Sequence, residues 1–194
     1  MARSQRQQAR LAPYKLGLIG GAAEFEQQYP KEMMKLGCLT ACWSVAEDAL
    51  CQVLAILLSD KDKAEAAFYS SNNHKARSDM VRAVAARSSL DERAKEYLDF
   101  GLDTLAKAAN ARNELTHGLF HVEPYSGELL SVRRRPATKV PVITKSGILK
   151  NLGDAITLCE LAINVLQGTI VAITNPQLID DVLSGRTPSL RRPP

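Results

Sequence analysis

The chain is predicted to be all-α: a four-helix up-and-down bundle with a small β-hairpin inserted before its last long helix. Three observations carry that prediction. Apolar residues recur at spacings of three and four over several long stretches, the pattern of helices burying one face. The alternation expected of strands occurs in only one place, just after Gly118. The 194 residues are 45% apolar, which is enough to build a core, and only 5% aromatic, too few for the base-stacking platform of a single-strand binder.

The first long helix is expected over 30–59. There Trp43, Leu50, Leu54 and Leu57 form one stripe, and Cys38, Cys42, Val45, Ala49, Val53 and Ile56 form a second beside it. So wide an apolar face implies packing on two sides. A small helical piece is expected over 62–69. A further helix is expected over 71–87, with Met80, Val81 and Val84 inward and with His74, next to Asn72 and Asn73, in its cap region.

The next long helix spans 90–117, carrying Tyr97, Leu98, Leu102, Leu105, Ala108 and Leu115. Ser89 or Asp91 opens it, and Gly118 closes it with the left-handed turn that glycine tolerates best. Segments 119–123 and 128–133 then read as short strands joined by Pro124-Tyr125-Ser126-Gly127, and Pro136 and Pro141 are expected to stop any continuation. The last long helix is expected over 146–173, through Leu149, Leu152, Ile156, Cys159, Ile163, Leu166 and Ile170, with Asn175-Pro176 ending it.

The domain organisation follows. Residues 1–29 form a basic N-terminal extension, 30–175 the bundle domain with its hairpin insert at about 119–143, and 176–194 a short helix (176–183) and a disordered basic tail. The apolar stretch 16–23 is too short, and too broken by Pro13 and Lys15, for a signal peptide. No charge-free apolar run approaches the ~20 residues of a membrane span. The four cysteines have no paired spacing and no accompanying histidines, so they read as reduced thiols packed as small hydrophobes, as in a cytoplasmic protein. No cofactor or metal is expected. His117 and His121 are four residues apart, but Gly118 interrupts the helix between them and speaks against a shared ion.

The formal net charge is +4, yet residues 1–23 and 186–194 hold seven cations and no acid, so the body between is net acidic. A local basic stretch remains between Leu129 and Gly153, with Arg133, Arg134, Arg135, Lys139, Lys145 and Lys150 and no acid. It is either a solvated surface or one that faces phosphates. The basic tails alone would give a DNA-binding protein only salt-sensitive, sequence-blind affinity.

The residues that point to chemistry are Arg112-Asn113-Glu114-Leu115-Thr116-His117-Gly118. Stepping back from Leu115 by threes and fours gives Arg112, Ala108, Leu105, Gly101 and Leu98, so Arg112 continues the inward seam. A guanidinium there has either a carboxylate waiting for it or a phosphate to bind, because taking an ion out of water unpaired costs several kcal/mol. Glu47, interrupting the seam of Trp43, Leu50 and Leu54, is the carboxylate expected to support it. Asn113 and His117 share a face one turn apart. With a reference pKa of about 6.5, a histidine trades protons near neutral pH. Arg112 and His117, however, are about 140° apart around an ideal helix. Either the long arginine reaches round the helix end, or a second copy of the helix completes the site.

This stretch resembles the R-x4-6-H signature of the HEPN superfamily, the higher eukaryotes and prokaryotes nucleotide-binding domain. The likeness extends to its place near the end of a long bundle helix and to a first helix carrying Trp43 with Glu47 a turn later. It spans roughly 31–173. The resemblance implies a metal-independent endoribonuclease, often a toxin or phage-defence effector, acting as a homodimer whose paired motifs share one cleft. By that likeness His117 is the general base for a ribose 2′-hydroxyl, Arg112 binds the scissile phosphate, and Asn113 orients either group. RNA is then the partner, approaching along Arg133, Arg134, Arg135 and Lys139, and an antitoxin or regulatory protein is a further one. Many members keep the bundle without catalysis, so a nucleotide- or protein-binding module is the alternative. Under that alternative Arg112→Ala would damage the fold by leaving Glu47 unpaired.

Overall fold

The computed structural model describes residues 22–117, 119–122, 127–134, 141–145 and 147–178. It is mostly helical, with one small antiparallel sheet. Helix α1 (Ala22–Gln28) is followed by α2 (Pro30–Leu58), which starts with proline at its first turn, where the missing N–H would have no acceptor in any case. It ends on Ser59 in the left-handed conformation, φ 52°, whose N–H returns to Ile56. Helices α3 (Lys61–Ser70), α4 (His74–Ala85) and α5 (Glu92–Thr116) each begin with a side-chain cap: Asp60 accepts from Lys63 N–H, Asn73 from Lys75 N–H, and Asp91 from Ala94 N–H. Strands β1 (Leu119–Val122), β2 (Leu129–Arg134) and β3 (Pro141–Lys145) precede α6 (Ile148–Thr174). Residues 176–178 form a further helical turn; the rest of the short helix expected over 176–183, and the tail, lie outside the described residues.

Helix α6 packs along both α2 and α5, while α3 lies against α2, and α4 touches α2 and α5. The core is built where the stripes meet, from Leu39, Leu50, Leu54, Leu98, Leu102, Leu105, Leu152 and Leu166 among others. Gly101 belongs to the α5 seam because α6 comes so near. A Cβ there would sit 3.1 Å from Leu166 Cδ2 and 3.3 Å from Val165 Cγ1. By length and composition α2 and α6 are also apolar enough to cross a bilayer, a test that the charge-free-run criterion passes over and that core helices also meet.

Three features depart from expectation. The hairpin is a three-stranded sheet in the order β1-β2-β3, because Pro141 starts an edge strand, where a missing N–H breaks little of the ladder. Helix α1 lies inside the expected N-terminal extension, and its Phe25 is buried against Tyr29 and Phe120, ring centroids 5.7 and 5.4 Å away. Of the cysteines, Cys51 and Cys159 are buried, but Cys42 is only partly so and Cys38 is exposed. Burial pushes the Cys159 thiol up to about 11, so it stays protonated and unreactive at neutral pH.

Candidate functional site

A cavity of about 850 Å³ opens where α2, α4 and α5 meet, within the ~300–1,000 Å³ usual for small-molecule sites. Helix α2 contributes Trp43 and Glu47; α4 contributes His74, Arg77 and Ser78; α5 contributes Arg112, Asn113 and His117. The four residues singled out from the sequence therefore share one cavity within one chain. Arg112 and His117 reach it together because α5 ends between them. His117 is the C-cap, φ −103° and ψ 0°, its backbone N–H still bonded to Asn113 O, and its side chain is exposed. The guanidinium of Arg112 leans along the helix, with Nη1 donating to Asn113 Oδ1 at 3.1 Å, and its centre lies 5.8 Å from the Trp43 ring.

The expected Arg112–Glu47 pair is absent. Glu47 Oε1 instead accepts from Arg77 Nη1 at 2.6 Å, with the two side chains 23% and 12% exposed. Helix α4, which touches both α2 and α5, brings Arg77 to this carboxylate instead. The same guanidinium donates through Nε to the carbonyls of Phe68 (3.2 Å) and Ser71 (2.9 Å) and lies over the Phe68 ring at 4.8 Å. The other cations on this wall are also engaged: Lys75 with Asp79 at 2.6 Å, and Arg82 with Asp103 at 2.7 Å and Asp99 at 3.3 Å. Arg112 differs. Among the described residues no carboxylate pairs with it, and its Nε is buried without a hydrogen-bond partner.

His74, Arg77 and Ser78 were missed from the sequence. The signal for Arg77 was its place one turn before the inward Val81, and for Ser78 its place on the buried seam of Ser78, Val81 and Ala85. Asn73 does cap α4 as expected of that region, but His74 also turns into the cavity, edge-on to Trp43 with ring centroids 5.0 Å apart. Burial lowers the His74 pKa below its ordinary 6.5, Arg77 lowers it further, and Glu47 opposes both. The native state therefore binds this proton less readily than the unfolded chain does. That stability is fully present above about pH 6.5 and is lost as pH falls through the depressed native value. Urea midpoints for wild type and His74→Gln at pH 7.5 and 5.5 are expected to show a smaller acid loss in the variant; equal losses would remove His74 as the cause.

The basic stretch is only partly visible. Arg133 and Arg134 lie in β2 at positions opposite Val142 and Pro141, whereas Arg135 and Lys139 lie outside the described residues. His121 is buried in β1, opposite Leu130. Among the described residues no three histidine, cysteine or acidic side chains gather as a metal site. No protein-family model, curated protein or solved structure matches this chain.

Proposed function

We propose that this chain is a metal-independent endoribonuclease of HEPN type, its helices forming the family's four-helix bundle. The observation that supports this best is one cavity holding an exposed histidine beside an arginine that no carboxylate pairs with among the described residues. His117 takes the proton of a ribose 2′-hydroxyl, whose oxygen attacks the adjacent phosphorus. The bond to the 5′-oxygen breaks, that oxygen takes up a proton from water, and a 2′,3′-cyclic phosphate and a 5′-hydroxyl end result, with His117 returning its proton to solvent. Arg112 binds the phosphate and its growing charge, and Asn113, accepting from Nη1, fixes the guanidinium plane. The reading carries with it a cytoplasmic homodimer with paired clefts, an RNA path along the basic stretch, and a toxin or phage-defence role under an antitoxin or regulatory partner.

The test is incubation of the purified chain with single-stranded RNA in EDTA. Cleavage to cyclic-phosphate ends is expected, with RNA carrying 2′-deoxyribose at the cut left intact. His117→Ala is expected to be slower by about 10²–10⁴-fold, the usual contribution of positioned proton transfer. Cleavage that chelation abolishes, or that the variant retains, would refute the mechanism. No cleavage at all would leave the motif to a binding module.

A further inference from the structure

The walls of the cavity differ in what they can bind. On α4 each cation already holds a carboxylate, Arg77 with Glu47, Lys75 with Asp79, and Arg82 with Asp99 and Asp103, so a phosphate would have to compete with a carboxylate for each of them. That leaves Arg112, on α5, as the anion site. The α4 wall instead carries two buried polar atoms without hydrogen-bond partners, Ser78 Oγ and His74 Nδ1. Ser78 is 7% exposed, and the two residues lie one helical turn apart on the same face. Buried polar atoms are nearly always paired, and exceptions call for an explanation such as a missing partner. A hydroxyl both donates and accepts, and a neutral imidazole does one at each nitrogen, whereas a phosphate only accepts. Such a pair complements an uncharged group that mixes donors and acceptors. In RNA a ribose hydroxyl mixes them at a single atom, whereas the edge of a nucleobase presents a donor and an acceptor side by side, as two side chains a helical turn apart require.

We infer that Ser78 and His74 form a nucleobase subsite: with the scissile phosphate at Arg112, the adjoining base lies against α4 and hydrogen-bonds to Ser78 Oγ and His74 Nδ1. This rests on the RNA-cleaving reading of the same cavity. Both atoms have almost no exposed surface in the empty cavity, so a base reaches them through a side-chain rotation at Ser78 and His74, the imidazole turning against Trp43. Burial keeps His74 in the neutral form that such readout needs. The subsite makes cleavage selective for the base next to the cut.

Two measurements separate this inference from the activity it rests on. In the first, cut sites in a random-sequence RNA are mapped for wild type, Ser78→Ala, and His74→Phe, which keeps a ring against Trp43. Wild type is expected to prefer particular bases beside the cut, and each variant to flatten that preference by roughly three- to tenfold, the usual worth of one hydrogen bond. A merely structural role would slow all sites alike. In the second, binding of the four nucleoside 3′-monophosphates and of inorganic phosphate to His117→Ala protein is compared with and without Ser78→Ala. The nucleotides are expected to bind tighter than phosphate, and Ser78→Ala to remove a comparable factor. Base-dependent binding without cleavage would sink the ribonuclease reading and keep the subsite. Cleavage with an unchanged base profile in both variants, or nucleotides binding no tighter than phosphate, overturns the subsite.

Discussion

Arg112→Ala is expected to slow RNA cleavage by roughly 10²–10³-fold, the loss typical of removing one preorganised donor to a developing negative charge. Its thermal midpoint should stay within about 4 °C of wild type, the shift that about 1 kcal/mol gives in a chain of this size. This pairing of a large kinetic loss with a small stability change follows from what the guanidinium touches. It makes one hydrogen bond, to its neighbour Asn113, and lies at cation–π distance from Trp43, a contact worth about 0.5–2 kcal/mol as desolvation grows, which removing a buried, unpartnered Nε offsets. Its Nε has no partner to lose. The binding-module alternative expects the opposite, a fold damaged through an orphaned Glu47, but Glu47 is held by Arg77 and keeps its partner in this variant. Arg112→Lys should recover only part of the rate, since a point charge replaces a planar fork. A midpoint lowered by 10 °C or more in Arg112→Ala would place the residue among structural groups and remove the main support for a phosphate site.

Elements whose cause is local were legible. The α5 helix starts at an aspartate cap and has His117 as its C-cap, as capping and periodicity are properties of neighbouring residues, while the closing turn expected at Gly118 lies outside the described residues. The seam through Leu98, Gly101, Leu105 and Ala108 told which face is buried, but not that Gly101 admits the close approach of α6. What stayed hidden depended on partners distant in sequence. Periodicity put Glu47 beside the core correctly, yet which cation would meet it was decided by where α4 crosses α2, and Arg77 stands 30 residues away. Strand β3 was masked because a proline that breaks a central strand is harmless at the start of an edge strand. The short α1 has few apolar positions with which to announce itself, and it is placed by Phe25 meeting Phe120 across the fold. For the same reason the cavity was half-visible: its α5 side is one contiguous motif, and its α4 side needed the fold.

Arg77→Ala should be the most damaging single change in this region, destabilising the fold by about 3 kcal/mol, the lower end of what breaking a buried ion pair costs. Three losses coincide. The Glu47 carboxylate, 23% exposed, would lose its partner at 2.6 Å. The carbonyls of Phe68 and Ser71, at the end of α3, would lose a cationic donor of the kind a helix C-terminus favours. The Phe68 ring would lose the guanidinium lying over it at 4.8 Å. In a chain of this length the thermal midpoint is expected to fall by roughly 6–12 °C, read by circular dichroism on heating. Glu47→Gln should cost less, because an amide still accepts from Nη1 and leaves no buried anion. The double change Arg77→Met with Glu47→Leu should recover most of the stability, since apolar side chains of similar volume avoid desolvating two ions. If the double variant were as unstable as Arg77→Ala, the bonds to the α3 carbonyls, and not the ion pair, would be what holds α4 in place, and with it the histidine and serine that face the cavity.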